Sequence, residues 1–303
     1  MIYQNIIETI GNTPLIPLSQ INKNIYAKVE FFNPSGSIKD RAAFEIIQNL
    51  IKTKQIQKGG TLIIPTSGNM GISTCMISQY YNLDVVVVMP ENMSIERRKL
   101  LLLYGAKIIL TPSKLGMKGS IDKAKSLLNT IPNSYLIKQF EDQMNINAHI
   151  KTAREIDQDL PEVEVIVASI GTGGTIRGIL EYFKNSQVEV IGVEPQNSPL
   201  ITKGQSGKHN IQGIGANFIP NLIKDVLSLH IETISEQEAY ETCFNLAKKE
   251  GIVAGISSGA ALSVAIQLSK LPKYQDKKIV VILPDTGERY LSSELMEKLD
   301  EKI

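Results

Sequence analysis

Short apolar runs recur along this chain, each separated from the next by a stretch long enough for one helix. The runs are Ile25–Glu30, Thr61–Ile64, Asp84–Met89, Lys107–Leu110, Val163–Ser169, Val188–Val193 and Lys278–Leu283. Most are solidly apolar rather than alternating, which is the pattern of strands covered on both faces. Helical spacing falls between them, over Asp40–Lys52, Met70–Tyr81, Ser94–Tyr104, Lys118–Thr130, Thr175–Phe183, Glu236–Glu250 and Ser258–Ser269, with a further helix expected at Tyr290–Lys298. This alternation predicts an α/β architecture built on mainly parallel sheets. No repeat of fixed period and no low-complexity tract interrupts it. The pattern is weakest near Glu141–Asn147, where polar residues cluster, and the crossing between two α/β units is expected there.

Charge and cysteine content narrow the function classes. The 303 residues carry 32 basic against 31 acidic side chains, with no basic arm or acidic tail, so neither nucleic acid nor a membrane surface is an expected partner. No signal peptide or bilayer-length apolar run is evident. Cys75 and Cys243 make neither a disulfide framework nor a metal cluster, and they fit a reducing, cytoplasmic setting. His149, His209 and His230 lie far apart without metal-ligand spacing, so no metal site is expected.

In α/β sheets ligands bind beyond the carboxyl ends of strands, and three glycine-rich loops follow strands here. Thr66-Ser67-Gly68-Asn69-Met70-Gly71 leads into a helix. Its glycines permit a tight turn, Ser or Asn is placed to cap the helix, and the backbone N–H groups suit a carboxylate. Gly171-Thr172-Gly173-Gly174-Thr175 offers successive N–H groups at a helix start, a phosphate-binding arrangement. It is not a dinucleotide fingerprint, because Ile176 replaces the third glycine, and it is not a P-loop, because no Gly-Lys-Ser/Thr follows. A small phosphorylated cofactor therefore fits better than a nucleotide. The third loop, Gly255-Ile256-Ser257-Ser258-Gly259, opens another helix; taken alone, each loop could also be an ordinary strand–helix connection. A lysine, Lys39, stands at the mouth of a helix in Asn33-Pro-Ser-Gly-Ser-Ile-Lys-Asp-Arg41.

Together these segments resemble the cysteine synthase (O-acetylserine sulfhydrylase) and β-cyanoalanine synthase family of pyridoxal phosphate enzymes. Its fold is fold type II, tryptophan-synthase-β-like. The resemblance runs through IGNTPL (Ile10–Leu15), NPSGSIKDR, PTSGN (Pro65–Asn69), GTGGT, QGIGANFIP (Gln212–Pro220), GISSGAA (Gly255–Ala261) and GERYLS (Gly287–Ser292). It implies two open twisted α/β domains: a smaller mobile domain over 36–145, and a larger one from 1–35 plus 146–303, with the cofactor in the cleft between them. Lys39 is implied as the Schiff-base lysine and general base. Gly171, Thr172, Gly173, Gly174 and Thr175 would hold the cofactor phosphate, Asn69 the ring hydroxyl oxygen, and Ser257 would face the pyridine nitrogen. Thr66, Ser67, Gly68, Met70, Gln139 and Gly213 fall on the substrate side. A serine does not protonate the ring as an aspartate would, so the ring is a weaker electron sink and suits prompt loss of a β-leaving group. The implied chemistry is β-replacement through an aminoacrylate: an amino acid of the O-acetylserine or cysteine level loses its β-substituent, and sulfide, a thiol or cyanide adds. The resemblance also implies a homodimer.

Two departures from the family pattern bear on the substrate. The substrate loop reads TSGNMG, with Met70 where cysteine synthases have threonine. Plant-type β-cyanoalanine synthases share TSGNMGIS, but Ala168 and Thr172 here differ from their methionine and serine near the phosphate cup. The main expectation is cysteine synthesis from O-acetylserine and sulfide. The alternative is a cysteine-consuming enzyme that releases hydrogen sulfide and makes cyanoalanine or lanthionine. A dehydratase fits the substrate loop less well. A non-enzymatic alternative is a module that binds the C-terminal tail of serine acetyltransferase. After Gln139 the chain reads QFEDQMN where the family has QFxNPAN, and Asp225 adds an ionisable group near the expected entrance.

Overall fold

The computed structural model describes residues 2–66, 68–226 and 229–291. In chain order the elements begin with β1 (Leu15–Pro17), β2 (Ile25–Val29), α1 (Lys39–Lys52), β3 (Thr61–Pro65), α2 (Asn69–Tyr80), β4 (Asp84–Pro90), α3 (Ile95–Leu103) and β5 (Lys107–Thr111). They continue with α4 (Gly116–Leu128), β6 (Ser134–Leu136), α5 (Gln143–Asp159), β7 (Val165–Ser169), α6 (Gly174–Phe183), β8 (Glu189–Pro195) and α7 (Leu200–Lys203). The last are β9 (His230–Ile234), α8 (Glu236–Glu250), α9 (Ile256–Ser269) and β10 (Ile279–Leu283). Every expected strand is present. The helix expected at Tyr290–Lys298 falls largely outside the described residues, as does Ser67; Gly287–Tyr290 forms a 3-10 turn.

The chain divides into two units: Met1–Ile10 with Lys39–Ala148, and Gly11–Ile38 with His149–Ile303. Ile7, near the start of the chain, is buried in the core of the first unit, in one apolar cluster with residues of α1 and α2. That unit holds a four-stranded sheet in the order β5-β4-β3-β6, parallel throughout. β3 leads through α2 to β4 on one side, while β6 pairs on its other side. The strand order thus reverses at β3, which is where an open α/β sheet forms a crevice. The second unit holds a six-stranded sheet, β1-β2-β10-β7-β8-β9, in which only the edge strand β1 runs antiparallel. β7 lies inside it, between β10 and β8, and all five of its residues except Ser169 are buried.

A buried lysine fixes α5 in the second unit. Lys28 on β2 is fully buried; its Nζ donates to Thr13 O (2.7 Å) and lies 3.0 Å from Glu155 Oε2 and 3.5 Å from Asp159 Oδ2. Glu155 also accepts the Asn12 N–H. Removing one partner of a buried pair strands the other charge. Glu155→Ala is therefore expected to cost about 3–5 kcal/mol in urea unfolding, whereas Lys28→Met costs less, because the carboxylates it leaves behind reach water (14% and 50% exposed) and the lysine does not. Equal losses in the two variants would contradict this.

Candidate active site

Each glycine loop opens a helix whose N-cap is a glycine, with no side chain of its own to cap it. Gly68 is the N-cap of α2, Gly173 of α6 and Gly255 of α9, and none of the three helices carries a side-chain cap hydrogen bond. Among the described residues the N-cap of α2 is Gly68 rather than Asn69, and its own N–H donates to Thr66 Oγ1 (3.2 Å). By contrast, Ser94 caps α3, and Ser235 caps α8 in a reciprocal box with Glu238. A helix start carries orphan N–H groups and a partial positive charge. Filling those positions with a side-chain oxygen would compete with an anionic ligand.

In the first unit, Thr66 is buried just past the end of β3, and Gln139 follows the end of β6, the neighbouring strand. The reversal in strand order therefore places these two expected substrate residues at adjacent strand ends. Gln139 O accepts the side-chain N–H of buried Asn145 (2.8 Å), which ties this turn to α5. The QFEDQMN segment has its own local logic: Asp142 Oδ1 accepts Met144 N–H (2.9 Å) at the start of α5. Asn69 opens α2 and Lys39 opens α1, both half-buried. Met70 is 2 % exposed and its side chain belongs to the hydrophobic core of this unit.

In the second unit the phosphate-cup loop follows β7. A Cβ at Gly171 would lie 2.4 Å from Gly213 O, so glycine is required where the cup meets the QGIGANFIP loop. Gly173 has φ +85°, and a Cβ there would meet Ile223 at 2.8 Å. Thr172 Oγ1 accepts Gly174 N–H (3.4 Å), which folds the loop over the start of α6. Thr175, in the first turn of α6, lies 3.3 Å from His149 Nε2. Ser257 is 4 % exposed in the first turn of α9, and its carbonyl accepts Ser169 Oγ (2.8 Å) from the end of β7. The cup and Ser257 are thus held to one strand end. Asp285, just past β10, adds a clasp. Its carbonyl accepts Gly255 N–H (2.9 Å), its side chain accepts Tyr290 O–H (2.6 Å), and it bridges to Ser37. Pro284 O accepts Ile38 N–H (2.8 Å), one residue before Lys39. Asp225 is mostly exposed and pairs with Arg177 of α6 (2.9 Å).

Both cysteines are buried free thiols. Burial pushes both thiols up to about 12, in the core for Cys75 and beneath α9 for Cys243. Among the described residues no group of three His, Cys, Asp or Glu could hold a metal ion. Sequence reasoning passed over α5 and hence over His149 and Thr152 as neighbours of the cup. It also gave Asp285 no role, although Asp285 immediately precedes GERYLS by two residues.

The cup suits a phosphate monoester: an uncapped helix start, backbone too close for any Cβ, and two threonine hydroxyls. Such a cup on an α/β scaffold fits enzymes that use a small phosphorylated cofactor. The pyridoxal-phosphate dependent enzyme family matches residues 6–285, and this chain belongs to it, with the tryptophan-synthase-β-like architecture of fold type II and pyridoxal phosphate as cofactor. A cysteine synthase B from Campylobacter jejuni is 49% identical over 298 residues, spanning 97% of this chain and 99% of the other. Among solved structures, a cysteine synthase from Entamoeba histolytica superposes with a TM-score of 0.94 at 38% identity, covering 98% of this chain and 91% of that one. A hydrogen sulfide-producing enzyme from Fusobacterium nucleatum gives a TM-score of 0.89 at 38% identity, covering 96% of this chain and all of that one.

Proposed function

We propose that this protein makes cysteine and acetate from O-acetylserine and sulfide. The observation that carries the reading is the pair of uncapped, glycine-started helices α2 and α6, which follow the strands β3 and β7. One offers its amides to a carboxylate and the other to a phosphate dianion. Thr66, Ser67 and Gln139 would grip the substrate carboxylate, Gly68 and Met70 would lie beside it on the substrate side, and Asn69 would bond the cofactor ring oxygen. Gly213 lies on the substrate side. Gly171, Thr172, Gly173, Gly174 and Thr175 hold the cofactor phosphate, and Ser257 accepts or donates at the ring nitrogen without carrying a charge. Bound pyridoxal phosphate supplies the electron sink for charge that develops at Cα. Lys39 would hold the cofactor at rest and, once freed, would take the Cα proton as general base. Acetate leaves from Cβ, hydrosulfide adds there, and Lys39 returns the proton to Cα. The smaller mobile domain is assigned to 36–145. The working form is assigned as a cytoplasmic homodimer; a serine acetyltransferase tail peptide ending in isoleucine would be detected by a change in cofactor fluorescence.

A second reading has cysteine as first substrate, with sulfide released; the likeness to the Fusobacterium enzyme and the presence of Met70 favour it. The burial of Met70 favours the first reading, because the side chain is absorbed by core packing and offers no new group to a substrate. Steady-state rates decide. We expect kcat/KM for O-acetylserine with sulfide to exceed that for sulfide release from cysteine by at least about tenfold. The reverse order would replace the first reading with the second.

A further inference from the structure

The buried face of α5 is partly polar. His149 is 1 % exposed and Thr152 is fully buried, one helical turn apart on the same face. His149 Nδ1 lies 3.2 Å from Thr152 Oγ1, and Nε2 lies 3.3 Å from Thr175 Oγ1 in the cup. A threonine, an imidazole and a second threonine therefore form one chain of hydrogen-bonding groups that ends at the phosphate-cup helix.

A neutral imidazole has one N–H and one bare nitrogen, so this chain can run in two directions. In one, Thr152 O–H donates to Nδ1 and Nε2–H donates to Thr175 Oγ1. Thr175 then keeps its own hydrogen for an anion in the cup. In the other, Thr175 O–H donates to Nε2 and Thr175 turns only lone pairs toward the cup. A phosphate dianion accepts hydrogen bonds and repels lone pairs, so it selects the first direction, and each bond polarises the next.

We infer that His149 is a positioning residue, held with its proton on Nε2, that fixes the Thr175 hydroxyl as a donor to the phosphate monoester of the cofactor. This rests on the pyridoxal phosphate reading of the cup. His149 touches neither cofactor ring nor substrate in this account; it acts through Thr175.

The test compares pyridoxal phosphate with pyridoxal, which lacks the phosphate, by equilibrium binding to apoprotein prepared from the holoenzyme. His149→Leu is expected to weaken binding of the phosphorylated form about tenfold, the scale of a hydrogen bond to a charged group, and to leave pyridoxal unchanged within about twofold. His149→Gln, whose amide N–H reaches toward the position of Nε2, recovers most of the loss; the shorter His149→Asn does not. In a Thr175→Val background His149→Leu causes no further loss, and in the single variant the phosphorus-31 resonance of the bound cofactor moves. Equal losses for both ligands, equal behaviour of Gln and Asn, or full additivity with Thr175→Val would overturn the inference. A wild-type protein that binds neither ligand overturns the cup reading itself, which is a different failure from a wild type that binds and a His149→Leu variant that binds equally well.

Discussion

Lys39→Ala retains the fold and loses β-replacement turnover by at least about a thousandfold. The size follows from the two tasks assigned to one amine, covalent attachment and proton transfer at Cα. Losing a general base alone costs about 10²–10⁴ in rate. The fold survives because Lys39 stands at the first position of α1 and alanine is the best helix former. The urea midpoint therefore stays close to wild type while product formation falls to background. Lys39→Arg fails as badly, since a guanidinium does not give up its proton. A Lys39→Ala variant with more than a tenth of wild-type turnover would remove the assigned role.

The second large effect is Gly171→Ala. The added carbon would lie 2.4 Å from Gly213 O, a backbone atom that cannot swing aside as a flexible side chain would. Either the cup or the QGIGANFIP loop must shift, and the N–H groups of α6 move with it. Cofactor affinity is expected to fall at least about a hundredfold, with about 1–3 kcal/mol of overpacking strain in unfolding. Gly68→Ala is the control. It also sits at a helix start, but among the described residues nothing lies within 4 Å of its Cβ position, and its φ is −127°. Its stability should match wild type. Comparable cofactor loss in the two variants would show that close backbone approach is not what the cup needs.

The parts that the sequence made legible are those in which apolar spacing and chemistry coincide. The runs at Thr61–Ile64, Asp84–Met89 and Lys278–Leu283 are apolar because both their faces are covered, and β3, β4 and β10 occupy them. Lys39 and GTGGT stand out because few other positions combine a glycine, a charge or hydroxyl, and a strand end. The failures have physical reasons. α5 escapes the apolar pattern because two of the groups it buries, His149 and Thr152, are polar and break the period; its buried apolar residues are Ile146, Ala148, Ala153 and Ile156. β1 and β6 are three residues long, too short for any period. β9 reads His-Ile-Glu-Thr-Ile and is only half-buried along most of its length, as an edge strand can be. Ser and Asn are usual caps, whereas the N-cap of α2 is Gly68 and Asn69 is the first helical residue. Met70 reads as a change in substrate chemistry, and its side chain lies in the core of the first unit.

The most direct test of the account is the visible absorption of the purified protein, followed as O-acetylserine and then sulfide are added. The account predicts a yellow protein whose band shifts with O-acetylserine as acetate is released. The band returns with sulfide as one cysteine appears per chain. A colourless protein that pyridoxal phosphate does not reconstitute, or a yellow one whose spectrum O-acetylserine leaves unchanged, would contradict it.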